Sequence, residues 1–136
     1  MNYFVNRRGQ AMVEFAIIIP VFIFMLYGLA YLSMLFHDYL TLSEMTRDIA
    51  RHESVGITFD KIKVNYSSTT FLTDVYLFNP DTDVKVDTQP ENSQNSSAGQ
   101  NVTVTLTAKL NIAKESIWHD MLPPIITASL TMRKEE

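Results

Sequence analysis

The residue that first invites chemistry is Glu14, a lone carboxylate one position before 22 consecutive residues, 15–36, that carry no charge. An acid at the rim of an apolar helix has two uses. It can mark the membrane interface, where a charge costs less than the roughly 2.5–3.5 kcal/mol it costs at the centre of a bilayer. It can instead meet a cation supplied by another chain, since a carboxylate in a low-dielectric bundle is tolerable only when paired. The only charges ahead of it are Arg7 and Arg8, followed by Gly9 and Gln10.

The other reactive side chains do not assemble into a recognisable centre. His37, His52 and His119 lie far apart in sequence, and the dipeptides His37-Asp38 and His119-Asp120 lack helical ligand spacing and a third ligand nearby. Asp81, Asp83 and Asp87 approach a calcium loop only loosely, without its glycine and terminal glutamate, and read as part of a solvated loop. There is no cysteine, which removes thiolate nucleophiles, thiolate metal sites and disulfides. Gly-rich phosphate loops and nucleophile elbows are absent, so no enzyme, no cofactor and no small-molecule substrate is expected.

The elements that must position Glu14 follow from hydropathy. A 22-residue helix spans about 33 Å at about 1.5 Å per residue, enough for the roughly 30 Å hydrocarbon core of a bilayer. A secretory signal has a shorter apolar core and an A-x-A-like end, which Leu35-Phe36-His37 does not offer. Lys and Arg stay on the cytoplasmic side. Arg7 and Arg8 therefore place the N-terminus inside and residues 37–136 outside, as a single-pass membrane protein. Of the 11 Lys and Arg and 15 Asp and Glu in the chain, nine basic and fourteen acidic residues follow the span. That excess of acid argues against a nucleic-acid surface.

Beyond the span, Leu42, Met45 and Ile49 recur on one helical face, and Glu44/Arg47 and Asp48/Arg51 can pair three residues apart. One long helix over residues 10–55 is expected, membrane-spanning over about 15–36 and amphipathic in its second half, with Gly56 as its stop. The period then changes to two. Val102, Val104, Leu106, Ala108, Leu110 and Ile112 alternate with polar residues, as do Ile126, Ala128, Leu130 and Met132, and Ile62, Val64 and Tyr66. These predict three antiparallel strands with one wet face. Residues 75–78 add a further candidate strand, and residues 115–122 a short helix ended by Pro123-Pro124. Trp118, Phe78 and the amphipathic half-helix are the expected cover for the inner face. Residues 79–101, rich in Asp, Asn, Ser, Thr and Pro, read as a long exposed loop with at best a weak strand at Val84/Val86. The fold class is thus α+β: a long N-terminal helix followed by a small antiparallel β-rich domain over residues 57–136.

The stretch Arg7-Arg8-Gly9-Gln10-Ala11-Met12-Val13-Glu14-Phe15 resembles the prepilin processing site of the type IV filament superfamily. The resemblance implies a leader of residues 1–9, removed by a membrane-embedded prepilin peptidase that cuts between Gly9 and Gln10. Glu14 then becomes the fifth mature residue, and in that superfamily this Glu meets the N-terminal amine of a neighbouring subunit. Val13-Glu14-Phe15-Ala16, the Pro20 early in the span and the ending Ala-Ser-Leu-Thr-Met-Arg-Lys-Glu at residues 128–135 are most similar to the TadE-like proteins of the tight-adherence (Flp) pilus system. Major pilins of that system usually carry Glu-Tyr in place of Glu14-Phe15 and are much shorter, so the resemblance implies a minor pilin or pseudopilin.

Pro20 cannot donate a hydrogen bond to Ala16 and should loosen the helix there. This serves either extraction from the bilayer or merely an ordinary membrane-helix kink. Gly28, Ala30 and Ser33 allow close helix approach without strict small-xxx-small spacing. The function expected is assembly of an adhesive pilus used in surface attachment, biofilm formation or secretion, with other pilins, pseudopilins and the pilus machinery as partners. The rival is a monomeric signal-anchored periplasmic accessory or binding module.

Overall fold

A computed structural model describes residues 7–66, 71–89 and 100–134. Helix α1, Arg7–Ser54, runs unbroken through Pro20. Gly56 closes it in the left-handed region at φ +82. Its N–H donates to the Glu53 carbonyl at 3.1 Å and the Ile57 N–H to the His52 carbonyl at 2.9 Å. Together these form a Schellman cap, which satisfies carbonyls the helix leaves open. Arg51 and His52 occupy the last turn, where the helix dipole favours positive charge.

The chain divides into two compact units, Met1–Ser33 and Met34–Glu136. In the first, the described residues are helix alone, and every side chain from 9 to 27 is exposed. The second half of α1 belongs to the other unit. There Asp38, Leu42, Met45, Thr46, Ile49 and Ala50 are buried at three- and four-residue steps, a stripe down one side of the helix.

After the cap come a one-turn helix α2, Phe59–Ile62, and a 3-10 turn, Lys63–Tyr66. The expected strand at Ile62, Val64 and Tyr66 is therefore corrected: Val64 is 78% exposed, whereas Phe59 and Tyr66 are buried. The spacing of Ile62 and Tyr66 suits a helical turn as well as a strand, and tertiary anchors decide between them. The Phe59 N–H donates to the Glu53 carboxylate and the Tyr66 hydroxyl to Asp48, which turns the segment back onto α1. The Phe59 and Tyr66 rings pack with centroids 6.3 Å apart.

The remainder is an antiparallel sheet built on β3, Asn101–Leu110, which pairs along one whole edge with β4, Ile125–Arg133. Its other edge is shared end to end by β1, Tyr76–Leu77, and β2, Val84–Gln89. Val102, Val104, Leu106 and Ala108 point inward and are buried, as are Ile126 and Ala128 on β4. The threonines between them face out. The two strands with the cleanest alternation in sequence thus have the predicted faces. A sheet with one apolar face needs a second layer, and the buried stripe of α1 lies in the same compact unit. Phe78 and Trp118 are half-buried. Helix α3, Ile117–Met121, starts at Ser116, whose hydroxyl accepts from the Trp118 N–H, and stops before Pro123.

The long loop expected over residues 79–101 is corrected in one part, at residues 84–89, while residues 90–99 of it lie outside the described residues. Residues 84–89 form β2, paired with β3 from Val84↔Leu106 to Gln89↔Asn101. Residues 78–83 form a tight excursion between β1 and β2 centred on Asp83, which is only 6% exposed. The Asp83 carboxylate accepts from the Asn79 N–H at 3.0 Å, the Thr82 hydroxyl at 3.1 Å and Lys109 Nζ at 2.9 Å. Its carbonyl accepts from the Thr107 N–H at 2.9 Å. A carboxylate of this kind converts a polar, turn-rich sequence into an ordered turn, because four donors converge on one residue.

Candidate functional site

Gly9, Gln10, Glu14, Phe15 and Pro20 all lie on the first turns of α1. Among the described residues none is brought against another element within this unit. Their specific contact there is local: Gln10 Nε2 donates to Glu14 Oε1 at 3.3 Å, a pairing that helical i, i+4 spacing makes available. Both side chains are exposed. Around them Met12 is 77% and Phe15 67% exposed, and Ala11, Met12, Phe15, Ala16 and Ile19 outline a shallow apolar notch in which the two alanines leave room between larger side chains.

Gly9 has an ordinary helical backbone, and a Cβ built on it would meet nothing within 4 Å. The fold of this chain therefore has no need of glycine at position 9. In a helix glycine even costs about 1 kcal/mol relative to alanine. Gly56 is the contrast, since its positive φ strains any other residue.

The helix from Gly9 onward is long and apolar enough to cross a membrane, and no part of its most apolar window is buried. An apolar surface of this extent is far larger than the patches soluble monomers tolerate. Its covering must come from lipid, from other helices or from both.

Further along α1 a second set of acids does structural work that the sequence pattern did not disclose. Asp38 has no exposed surface and accepts both the N–H and the hydroxyl of Thr73, each at 2.7 Å. It lies four residues before Leu42 and seven before Met45, in line with the apolar stripe, and a polar residue in that register was the available clue. Asp48, expected to pair with Arg51, instead accepts from Tyr66 and lies 3.6 Å from His52 Nδ1. Glu53 receives the Phe59 N–H. Three carboxylates on one helix thus hold three points of the chain that follows it.

Electrostatics reflect these contacts. Burial, then the hydrogen bond and negative charge of Asp48, pushes the Tyr66 hydroxyl well above the ordinary tyrosine range. Burial and then the Asp38 charge push Tyr76 in the same direction, and its hydroxyl donates to the Pro123 carbonyl at 2.8 Å. Burial alone would raise Asp83, but Lys109, the Asn79 amide and Thr82 outweigh it and hold its carboxyl below the usual value. Lys63 pairs with Asp81 beside this turn. Among the described residues no group of three or more His, Cys, Asp or Glu side chains is placed to hold a metal ion.

Residues 9–51 match the family model described as TadE-like protein. No curated protein and no solved structure matches the chain.

Proposed function

We propose that this chain is a minor pilin or pseudopilin of a tight-adherence (Flp-type) pilus system, anchored in the bacterial inner membrane by residues 15–36 with its β-rich domain outside. The observation that carries the reading is the TadE-like match over residues 9–51, which takes in Gly9, Glu14 and the whole apolar run. That match associates the chain with pilus machinery and with a family that is not one of enzymes. The role is accordingly one of assembly.

In this reading a prepilin peptidase removes residues 1–9. The open space around Gly9 supports a demand for glycine that comes from outside the fold, because a side chain there would crowd a scissile bond in a peptidase cleft while leaving the helix unhindered. Cleavage frees an amine on Gln10, one turn ahead of Glu14. The exposed helix then bundles with pilin or machine helices, and Glu14 meets the amine of a neighbouring subunit. Pairing is what makes either charge acceptable in a dry bundle.

The test is the intact mass of the protein from membranes of cells with an active prepilin peptidase, followed by co-isolation with pilus components. The expected mature chain begins at Gln10, and Gly9→Val leaves the precursor uncut. A native N-terminus at Met1, or a mature protein that co-isolates with no pilus component, overturns the reading.

A further inference from the structure

We infer that β4 is a self-pairing edge, through which two copies of this chain join their sheets into one. β3 uses the whole length of β4, from Lys109↔Ile125 to Asn101↔Arg133. The flanking bonds, Leu110 N–H to Pro124 carbonyl and Lys134 N–H to Gln100 carbonyl, fix which residues of β4 face β3. They are the even-numbered ones, because hydrogen-bonded pairs alternate along an antiparallel ladder. The N–H and C=O groups of Ile125, Thr127, Ser129, Thr131 and Arg133 therefore point away from β3, and no described residue meets them.

Sheet edges are normally blunted by charge, proline, bulges or shortness. This one is nine residues long, pairs without a bulge, and carries no proline and no charge before Arg133. On the opposite side of the sheet, β2 is shorter and carries Lys85 and Asp87.

The occupant that fits is a second β4. Only one antiparallel register opposes the whole of Ile125–Arg133 to itself, with Ser129 facing its own copy, Thr127 facing Thr131 and Ile125 facing Arg133. On the outer face this places hydroxyl against hydroxyl, a favourable cross-strand pairing, with no like charges opposed. On the inner face it sets Ala128 against Leu130 and Ile126 against Met132, and Leu130 and Met132 are the β4 inner-face residues left half-exposed. Shifting the strand by two residues either way brings Pro123, which lacks an N–H, or Lys134 and the residues after it into the ladder. Since the outward-facing residues exchange bonds in pairs, the full register forms about ten backbone hydrogen bonds. An edge of this size is weak between free molecules, but a common membrane raises the effective concentration of the two partners. The inference does not depend on processing at Gly9 or on pilus assembly.

The chain has no native cysteine, so single cysteines report directly. In full-length protein in native membranes, Ser129→Cys should give an oxidant-dependent dimer several-fold above Thr88→Cys on the other edge. Facing residues of a hydrogen-bonded pair have Cα atoms about 5.5 Å apart, within disulfide reach. Thr127→Cys or Thr131→Cys alone should not crosslink, because each is displaced from its own copy by about 13 Å at about 3.3 Å per residue. Co-expressed, the two should crosslink to each other. Ser129→Pro in that pair should abolish the crosslink while leaving the urea-unfolding midpoint of the outer domain close to wild type, because its N–H plays no part in the β3–β4 ladder. A monomeric Ser129→Cys, equal crosslinking by Thr127→Cys alone, or capture of a different protein in place of the second copy overturns the inference.

Discussion

The buried carboxylate of Asp38 accepts both the backbone N–H and the side-chain hydroxyl of Thr73, each at 2.7 Å, and so ties the helix to the strand region 35 residues later. Asp38→Ala should lower the stability of the outer domain by roughly 1.5–3 kcal/mol, the usual worth of hydrogen bonds to a charged group. Asp38→Asn should cost less, since its amide oxygen still accepts. Urea unfolding of the full chain in detergent, followed by tryptophan fluorescence, measures both. Equal stability of wild type and Asp38→Ala would refute the tether.

Asp83 gives the outer domain an acid limb. Its folded pKa lies below the ordinary 3.8. Its contribution is therefore complete above about pH 4 and is lost as pH falls through the folded value. Asp83→Asn should flatten that part of the stability profile and lower stability at pH 7, and Lys109→Met should do the same to a smaller extent. An unchanged acid limb in Asp83→Asn would show that the charge network around residues 78–83 is not a source of stability.

Tyr66 produces the opposite limb. Its hydroxyl titrates above the ordinary 10.0. The stability linked to its proton is complete below about pH 10 and is lost as pH rises from there through the folded value, because the unfolded chain loses the proton first. Tyr66→Phe should remove this alkaline dependence while lowering stability at pH 7 by about 1 kcal/mol. A stability profile in Tyr66→Phe that still falls as steeply above pH 10 would assign the effect elsewhere.

Glu14→Gln should leave membrane insertion and cleavage intact, since the apolar run and Gly9 are untouched, and should weaken association with pilus components. An unmatched ammonium in a dry bundle costs about 3 kcal/mol or more, and Glu14→Asp should recover part of the loss. If Gln10 cyclises after cleavage, its amine becomes a neutral lactam and Glu14 keeps only a hydrogen-bonding role. The mature protein is then lighter by one ammonia, and Glu14→Gln is mild. Full association by Glu14→Gln in protein that retains the free amine would refute the pairing.

Topology is checked with spheroplasts. In the proposed orientation Arg7 and Arg8 hold the N-terminus inside, so added protease should digest the domain carried by residues 37–136. Protection of that domain while a periplasmic control is digested would reverse the orientation.

The parts of this protein that the sequence determines by itself are those with a local cause. The 22-residue uncharged run, the cap at Gly56 and the period-two alternation of β3 and β4 are each decided by neighbours along the chain, through hydropathy, φ and the pleat. The resemblance of residues 7–15 to a processing site is likewise linear, because it rests on residue types at fixed spacing along the chain. Tertiary structure decided what local signals leave degenerate. Ile62, Val64 and Tyr66 satisfy both a strand and a helical turn, and the donors of Phe59 and Tyr66 finding Glu53 and Asp48 selects the turn. Residues 79–89 look like solvated loop until Asp83 gathers donors from Asn79, Thr82, Lys109 and Thr107. A hydrogen bond between residues far apart in sequence leaves no periodic trace, so Asp38, Asp48 and Asp83 read as surface charges until the fold supplies their partners.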